Sequence, residues 1–193
     1  MRPSALHSAV AALNVGIFYP FIHFPKPIFV AVNGPAVGGA TTAMLLCDAV
    51  VSVPSATFHT TFKQLGITPE GCSTLTFKSK MGPAGARRML AEGEKLSAAE
   101  AARFGFVDVL LGEGEDVVAA ACDHDWAWVA AGRGRVCVEG GLVKGQDEHN
   151  KLKGQQLADA VLFGVPFMRA SLGLPEILAR ALSPVLRTIV SRL

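Results

Sequence analysis

Lys26-Pro27-Ile28-Phe29-Val30-Ala31-Val32-Asn33-Gly34-Pro35-Ala36-Val37-Gly38-Gly39 is the stretch whose reading decides the fold. Ile28 to Val32 is a β-branched and aromatic run bounded by Pro27 and Asn33-Gly34, and it reads as a buried strand. Gly38 to Cys47 follows with small and apolar residues at helical spacing. Ala49 to Val53 reads as the next strand, stopped by Pro54. Strand, glycine-rich turn, helix and strand make a βαβ unit with parallel strands and a right-handed crossover.

The pattern continues downstream. Thr57 to Thr60 suits a short strand, and residues 61–72 read as a loop holding Gly66, Pro69 and Gly71. Cys72 to Met81 reads as helix up to Gly82-Pro83, and Pro83 suits the first turn of a further helix to about Ala91. Ser97-Ala98-Ala99-Glu100 is a capping box ahead of a short helix that Gly105 ends. Val107 to Leu111 is a strand candidate, and Val117 to Ala131 a helix. Residues 132–145 are glycine-rich, and residues 146–193 read as helix interrupted at Pro166, Pro175 and Pro184. The expected organisation is a core over 1–131 and a Gly/Pro-interrupted helical region over 132–193.

The bulk properties narrow the class. Half of the 193 residues are hydrophobic and the mean hydropathy is +0.37, so a buried core is accessible. Eighteen basic and sixteen acidic residues leave a net charge of +2, too balanced to point to nucleic acid or an anionic membrane. Cys47, Cys72, Cys122 and Cys137 form no CxxC or zinc spacing and read as reduced thiols. Ala9 to Phe24 is apolar apart from Asn14 and His23. Pro20 and Pro25 interrupt it, which favours a buried helix over a membrane span. The last residues, Ser191-Arg192-Leu193, are a conservative variant of the Ser-Lys-Leu peroxisomal address.

Two features carry chemistry. Gly38 and Gly39 open a helix, so unpaired N–H groups and the positive end of the helix dipole meet where no Cβ blocks a ligand. That arrangement suits an anion or a developing oxyanion, and equally suits tight strand–helix packing with no ligand. No Gly-Lys-Ser/Thr follows, which excludes a P-loop. Glu70, in Thr68-Pro69-Glu70-Gly71-Cys72-Ser73, follows the apolar Phe62, Leu65 and Ile67. A carboxylate over an apolar pocket is a candidate general base, since burial disfavours its charged form. Solvent exposure is the other reading of a loop carboxylate. His59 lies in a short apolar strand and reads as packing rather than catalysis. There is no GxSxG nucleophile elbow.

Together KPIFVAVNGPAVGG (26–39), LLCDAVVSV (45–53), ATFHTTFKQLGITPEGCSTLTF (56–77), MGPAGARRML (81–90) and GEKLSAAEAARFGFVDVL (93–110) resemble the crotonase, or enoyl-CoA hydratase/isomerase, superfamily. The branch most similar is that of the 3,2-enoyl-CoA isomerases and the chromodomain-Y-like proteins, which share NGPA and a Pro-(Glu/Asp)-Gly-Cys-Ser segment. The resemblance implies an α/β fold with a crotonase-like ββα spiral core and a C-terminal helical region. It places the isomerase base on Glu70, an oxyanion N–H on Gly39, and the thioester and pantetheine path along Ala36, Val37 and Gly38. Phe62 and Leu65 would line the acyl site. The two hydratase glutamates fall on Thr42 and Phe62, neither of which can act as acid or base, so water addition is disfavoured.

The implied reaction moves a 3-enoyl-CoA double bond to the 2-position. It uses no metal or redox cofactor, since CoA is part of the substrate. A homotrimer or hexamer, and a peroxisome or related organelle such as the glycosome, are the implied assembly and location. Family members carry several strands ahead of the Lys26-Pro27 position, which supply the other oxyanion donor. Only 25 residues precede that point here, which implies an N-terminally truncated core. A non-catalytic CoA-binding or assembly subunit is therefore the alternative, and a hydratase the weaker one.

Overall fold

The computed structural model describes residues 3–24, 26–130, 136–138, 141–143 and 155. The chain opens with α1 (Pro3–His23), β1 (Phe29–Val32), β2 (Ala36–Val37), α2 (Gly39–Met44), β3 (Ala49–Ser52), β4 (Thr57–His59) and α3 (Phe62–Leu65). There follow α4 (Ser73–Ala86), a π-turn (Arg87–Ala91), β5 (Lys95–Ser97), α5 (Ala98–Arg103), β6 (Val109–Leu110), α6 (Val117–Ala130) and the hairpin β7 (Val136–Val138)–β8 (Gly141–Val143). The boundary expected at 131/132, most of the C-terminal helical region and the terminal tripeptide lie outside the described residues.

The first four strands alternate between two sheets. β1, β3 and β6 form one, in the order β1-β3-β6, and β2, β4 and β5 form the other. β1 pairs with β3 in parallel, Val30 opposite Val50, and β2 pairs with β4 in parallel, Ala36 opposite Phe58. Two ββα units are thus laid side by side. The expected parallel βαβ unit is present, and each of its strands is followed by a short strand in the second sheet. Two aspartates join the strand ends of the first sheet. Asp48 accepts from Ile28 N–H (2.8 Å) and Asp108 from Val50 N–H (2.9 Å). Lys80 pairs with Asp108 at 2.6 Å.

The largest apolar cluster joins both sheets to α4 and α5 through Val32, Val50, Phe58, Phe77, Met89, Leu96 and Phe106. Phe58 and Phe77 pack on Phe106 with ring centroids 4.9 and 5.7 Å away, distances typical of tilted aromatic pairs. A second cluster, Phe18, Ile22, Ala43, Leu46 and Cys72, fastens α1 to α2 and to the start of α4.

Several boundaries differ from those expected, for local reasons. The two-residue β2 and three-residue β5 are too short to carry a periodic signal. The expected loop at 61–72 contains α3, which Gly66 ends with φ 64°. The break at Gly82-Pro83 is a kink, where Gly82 has φ 71° and ψ 173° and Pro83 restarts the helix. The glycine-rich 132–145 segment contains the β7–β8 hairpin. No helix among the described residues is long and apolar enough to cross a membrane.

Candidate active site

The glycine turn is set by main-chain bonds. Gly38 N–H donates to His59 C=O at 2.9 Å, and Thr41 Oγ1 donates to the same carbonyl at 3.2 Å. β4 thereby holds the turn against β2. Gly38 has φ 64° and ψ −131°, a conformation open to glycine. Gly39 is the first residue of α2, so its N–H has no acceptor within the helix. Thr42 is fully buried and its hydroxyl donates to Gly39 C=O at 2.9 Å. It is a helix-packing residue, in keeping with its being no acid or base.

Glu70 reaches this turn. Its Oε1 lies 3.4 Å from where a Cβ on Gly39 would sit. Its Oε2 accepts a hydrogen bond from Asn14 Nδ2 on α1. A carboxylate only accepts, so the amide must present its nitrogen to it. The two carboxylate oxygens are thus distinguished: Oε2 is anchored by Asn14, and Oε1 is turned to Gly39. Asn14 itself is 3% exposed, and its Oδ1 is buried without a hydrogen-bond partner.

One turn along α1, Phe18 completes the wall. It is 1% exposed and its ring lies against the backbone of Gly39 and Gly71. A Cβ on Gly71 would fall 2.6 to 2.9 Å from three ring carbons, so only glycine fits there. Gly71 also has φ 61°. Asn14, Phe18 and Ile22, at i, i+4 and i+8, form the stripe of α1 that faces this region.

The other expected residues lie on β2 and α3. Ala36 is buried and Val37 exposed at the end of β2, one residue before Gly38. Phe62 is buried and Leu65 exposed on α3. The His59 ring is engaged elsewhere, its Nε2 meeting Gly93 C=O at 3.2 Å and Gln64 Nε2 at 3.2 Å. Its contribution to the site is its main-chain carbonyl. No group of His, Cys, Asp or Glu among the described residues is disposed to hold a metal.

Asn14 and Phe18 are the two residues that reading the sequence missed as part of a site. Their signal was faint but present. Asn14 is one of two polar side chains in the apolar stretch 9–24, and a buried amide in such a helix needs a partner.

Residues 17–170 match the family profile described as enoyl-CoA hydratase/isomerase. Over 87 residues the chain is 54% identical to enoyl-CoA delta isomerase 2 of Homo sapiens, covering 45% of this chain and 22% of that protein. Over 93 residues it is 52% identical to the peroxisomal enoyl-CoA delta isomerase 3 of Mus musculus, covering 48% of this chain and 29% of that protein. The crystal structure of an enoyl-CoA hydratase/isomerase from Pseudoalteromonas atlantica superposes with a TM-score of 0.63 at 25% identity, covering 77% of this chain and 59% of that one. The matches with the two curated isomerases take in under a third of each.

Proposed function

This chain belongs to the enoyl-CoA hydratase/isomerase family, with its α/β crotonase-like fold, and from that premise we propose that it is a 3,2-enoyl-CoA isomerase. Glu70 Oε1 takes a proton from C2 of a 3-enoyl-CoA. The electron pair moves through the double bond, giving a dienolate whose negative charge gathers on the thioester oxygen. Gly39 N–H donates to that oxygen. The protonated Glu70 then returns the same proton to C4, and the product is the conjugated 2-enoyl-CoA. No proton, electron or water is gained or lost, so one carboxyl group serves both steps. The reaction needs no group beyond the CoA carried by the substrate.

The observation that carries this reading is the placement of Glu70 Oε1 beside Gly39, with Oε2 anchored by Asn14. An oxyanion donor and a base must face the same substrate, with the carboxylate held in place. Thr42 and Phe62 at the hydratase positions support isomerisation over water addition. Val37 and Leu65, both exposed and apolar, are proposed to meet the acyl-CoA, with Ala36 and Gly38 along the thioester path and Phe62 behind them.

The test is spectroscopic. The chain is mixed with trans-3-hexenoyl-CoA, and the conjugated 2-enoyl thioester is followed by its ultraviolet absorbance. The expected outcome is turnover that falls about 100- to 10,000-fold in Glu70→Gln. Absence of turnover in folded chain that still binds the thioester would replace this reading by that of a non-catalytic CoA-binding subunit.

A homotrimer or hexamer is the proposed assembly, checked by light scattering, and a monomeric mass would refute it. Ser191-Arg192-Leu193 is proposed to direct the chain to peroxisomes. Deleting it from a fluorescent fusion should abolish a punctate distribution that the intact tail confers.

A further inference from the structure

Two left-handed residues follow Glu70 in succession. Gly71 has φ 61° and Cys72 has φ 62°. Ser73 N–H donates to Glu70 C=O at 3.0 Å, closing a tight turn with both central residues at positive φ. Such turns normally take glycine, asparagine or aspartate, because a Cβ there crowds the following carbonyl. Cys72 is the only non-glycine residue with positive φ among those described.

Its side chain does not cap the helix it precedes. Cys72 is fully buried in the cluster of Phe18, Ile22, Ala43 and Leu46. The stripe of α1 therefore engages the turn residue by residue. Asn14 donates to Glu70, Phe18 seats on Gly71, and Cys72 shares a cluster with Phe18 and Ile22.

We propose that Cys72 is a positioning residue: its buried side chain, anchored against α1 and α2, holds a strained turn closed and so sets where the Glu70 carboxylate stands beside Gly39. This rests on Glu70 being the proton shuttle. Glycine at 72 would adopt the turn with less strain, yet it would lack the anchor and could visit other conformations. Function and stability should therefore respond differently to one substitution.

The experiment compares the unaltered chain with Cys72→Gly and Cys72→Ala, each shown to be folded by circular dichroism and thermal melting. In Cys72→Gly the melting temperature is expected to change little, while kcat falls about 10- to 100-fold and KM stays within about twofold. Cys72→Ala, which keeps Cβ, should lie between. The second readout is the Asn14 side-chain amide proton in nuclear magnetic resonance. It is one of three asparagines in the chain and is identified by its loss in Asn14→Leu. Its resonance is expected to move toward that of a free amide in Cys72→Gly as the bond to Glu70 loosens.

A folded Cys72→Gly with unchanged kcat and unchanged Asn14 resonance overturns the proposal. So does a rate loss that merely follows the loss of folded protein across both variants. If the unaltered chain turns over no substrate, the shuttle reading fails, and the Asn14 resonance alone decides whether Cys72 holds the turn. If Cys72→Gly does not fold, Cys72→Ala decides: a shifted Asn14 resonance supports the anchor and an unshifted one overturns it.

Discussion

Two glutamates thirty positions apart in this chain meet opposite surroundings. Glu100 sits in the first turn of α5, where its carboxylate accepts from Ser97 N–H (3.1 Å) and Ser97 Oγ (2.8 Å). Arg88 adds a contact at 3.2 Å. The Ser97 main-chain bond, then the Ser97 hydroxyl and then Arg88 pull its pKa from the ordinary 4.5 down to about 2. The paired carboxylates Glu94 and Glu100 raise the Arg88 guanidinium in turn. Glu70 has one oxygen anchored by an amide on a distant helix and the other turned to Gly39. A carboxylate saturated with donors stays ionised and caps a helix. Glu70 is met by an amide from α1 and stands beside the glycine turn, where it is proposed to exchange a proton. Surroundings, rather than residue type, separate the helix-capping carboxylate from the one proposed to exchange protons.

The strongest way to break this comparison is to neutralise each carboxylate in turn. Glu70→Gln should remove nearly all isomerase turnover, whereas Glu100→Gln should leave the rate within about twofold. Equal losses in both would show that stability, not the site, controls the assay.

Next in size is Gly71→Ala. The new methyl would meet the Phe18 ring at 2.6 Å and the residue would keep φ 61°. Overpacking and strain together predict a loss of about 2–5 kcal/mol in denaturant unfolding. Gly66→Ala is the control, since φ is 64° there but nothing lies within 4 Å. It should cost only about 1–2 kcal/mol. A similar cost for both would mean that Phe18 yields easily, and that α1 is not seated on the turn.

Asn14→Leu keeps the branching at Cγ without a donor. Losing a hydrogen bond to a charged group is expected to lower kcat about tenfold or more, with KM little changed. An unaltered kcat would show that Glu70 is placed by its own turn alone.

The smallest effect belongs to the other carboxylate. Ser97→Ala should cost about 1 kcal/mol as a lost N-cap. Because the folded-state pKa of Glu100 is depressed, its contribution is present above its ordinary value of 4.5. It is lost as the pH falls from there toward about 2. Thermal melts through that window should fall more steeply for the unaltered chain than for Ser97→Ala. Parallel curves would show that the capping box contributes nothing through Glu100.

Much of this was readable from one dimension. The capping box at Ser97–Glu100 formed as its spacing indicates, because both partners lie within one helical turn. The parallel pairing of β1 with β3 follows from the apolar runs around Asn33-Gly34, although the strands begin and end slightly inside the expected limits. The second sheet was less legible, since two- and three-residue strands have no period to read. Asn14 was visible only as an interruption of an apolar helix. Its partner lies 56 residues away, and no local pattern records such a distance.

The sequence by itself determined the parallel βαβ unit, the glycine turn at the head of α2 and the presence of a carboxylate at 70. These depend on backbone preferences and short-range periodicity, which neighbouring residues enforce. Only the tertiary structure decided that Asn14 meets Oε2 of that carboxylate while Oε1 lies toward Gly39, and why Gly71 admits no side chain. Those outcomes depend on how α1 crosses the turn, and that crossing is set by the packing of Phe18, Ile22, Ala43, Leu46 and Cys72. Hydrophobic burial is non-directional, so an apolar pattern announces that a helix will pack without stating what it will pack against.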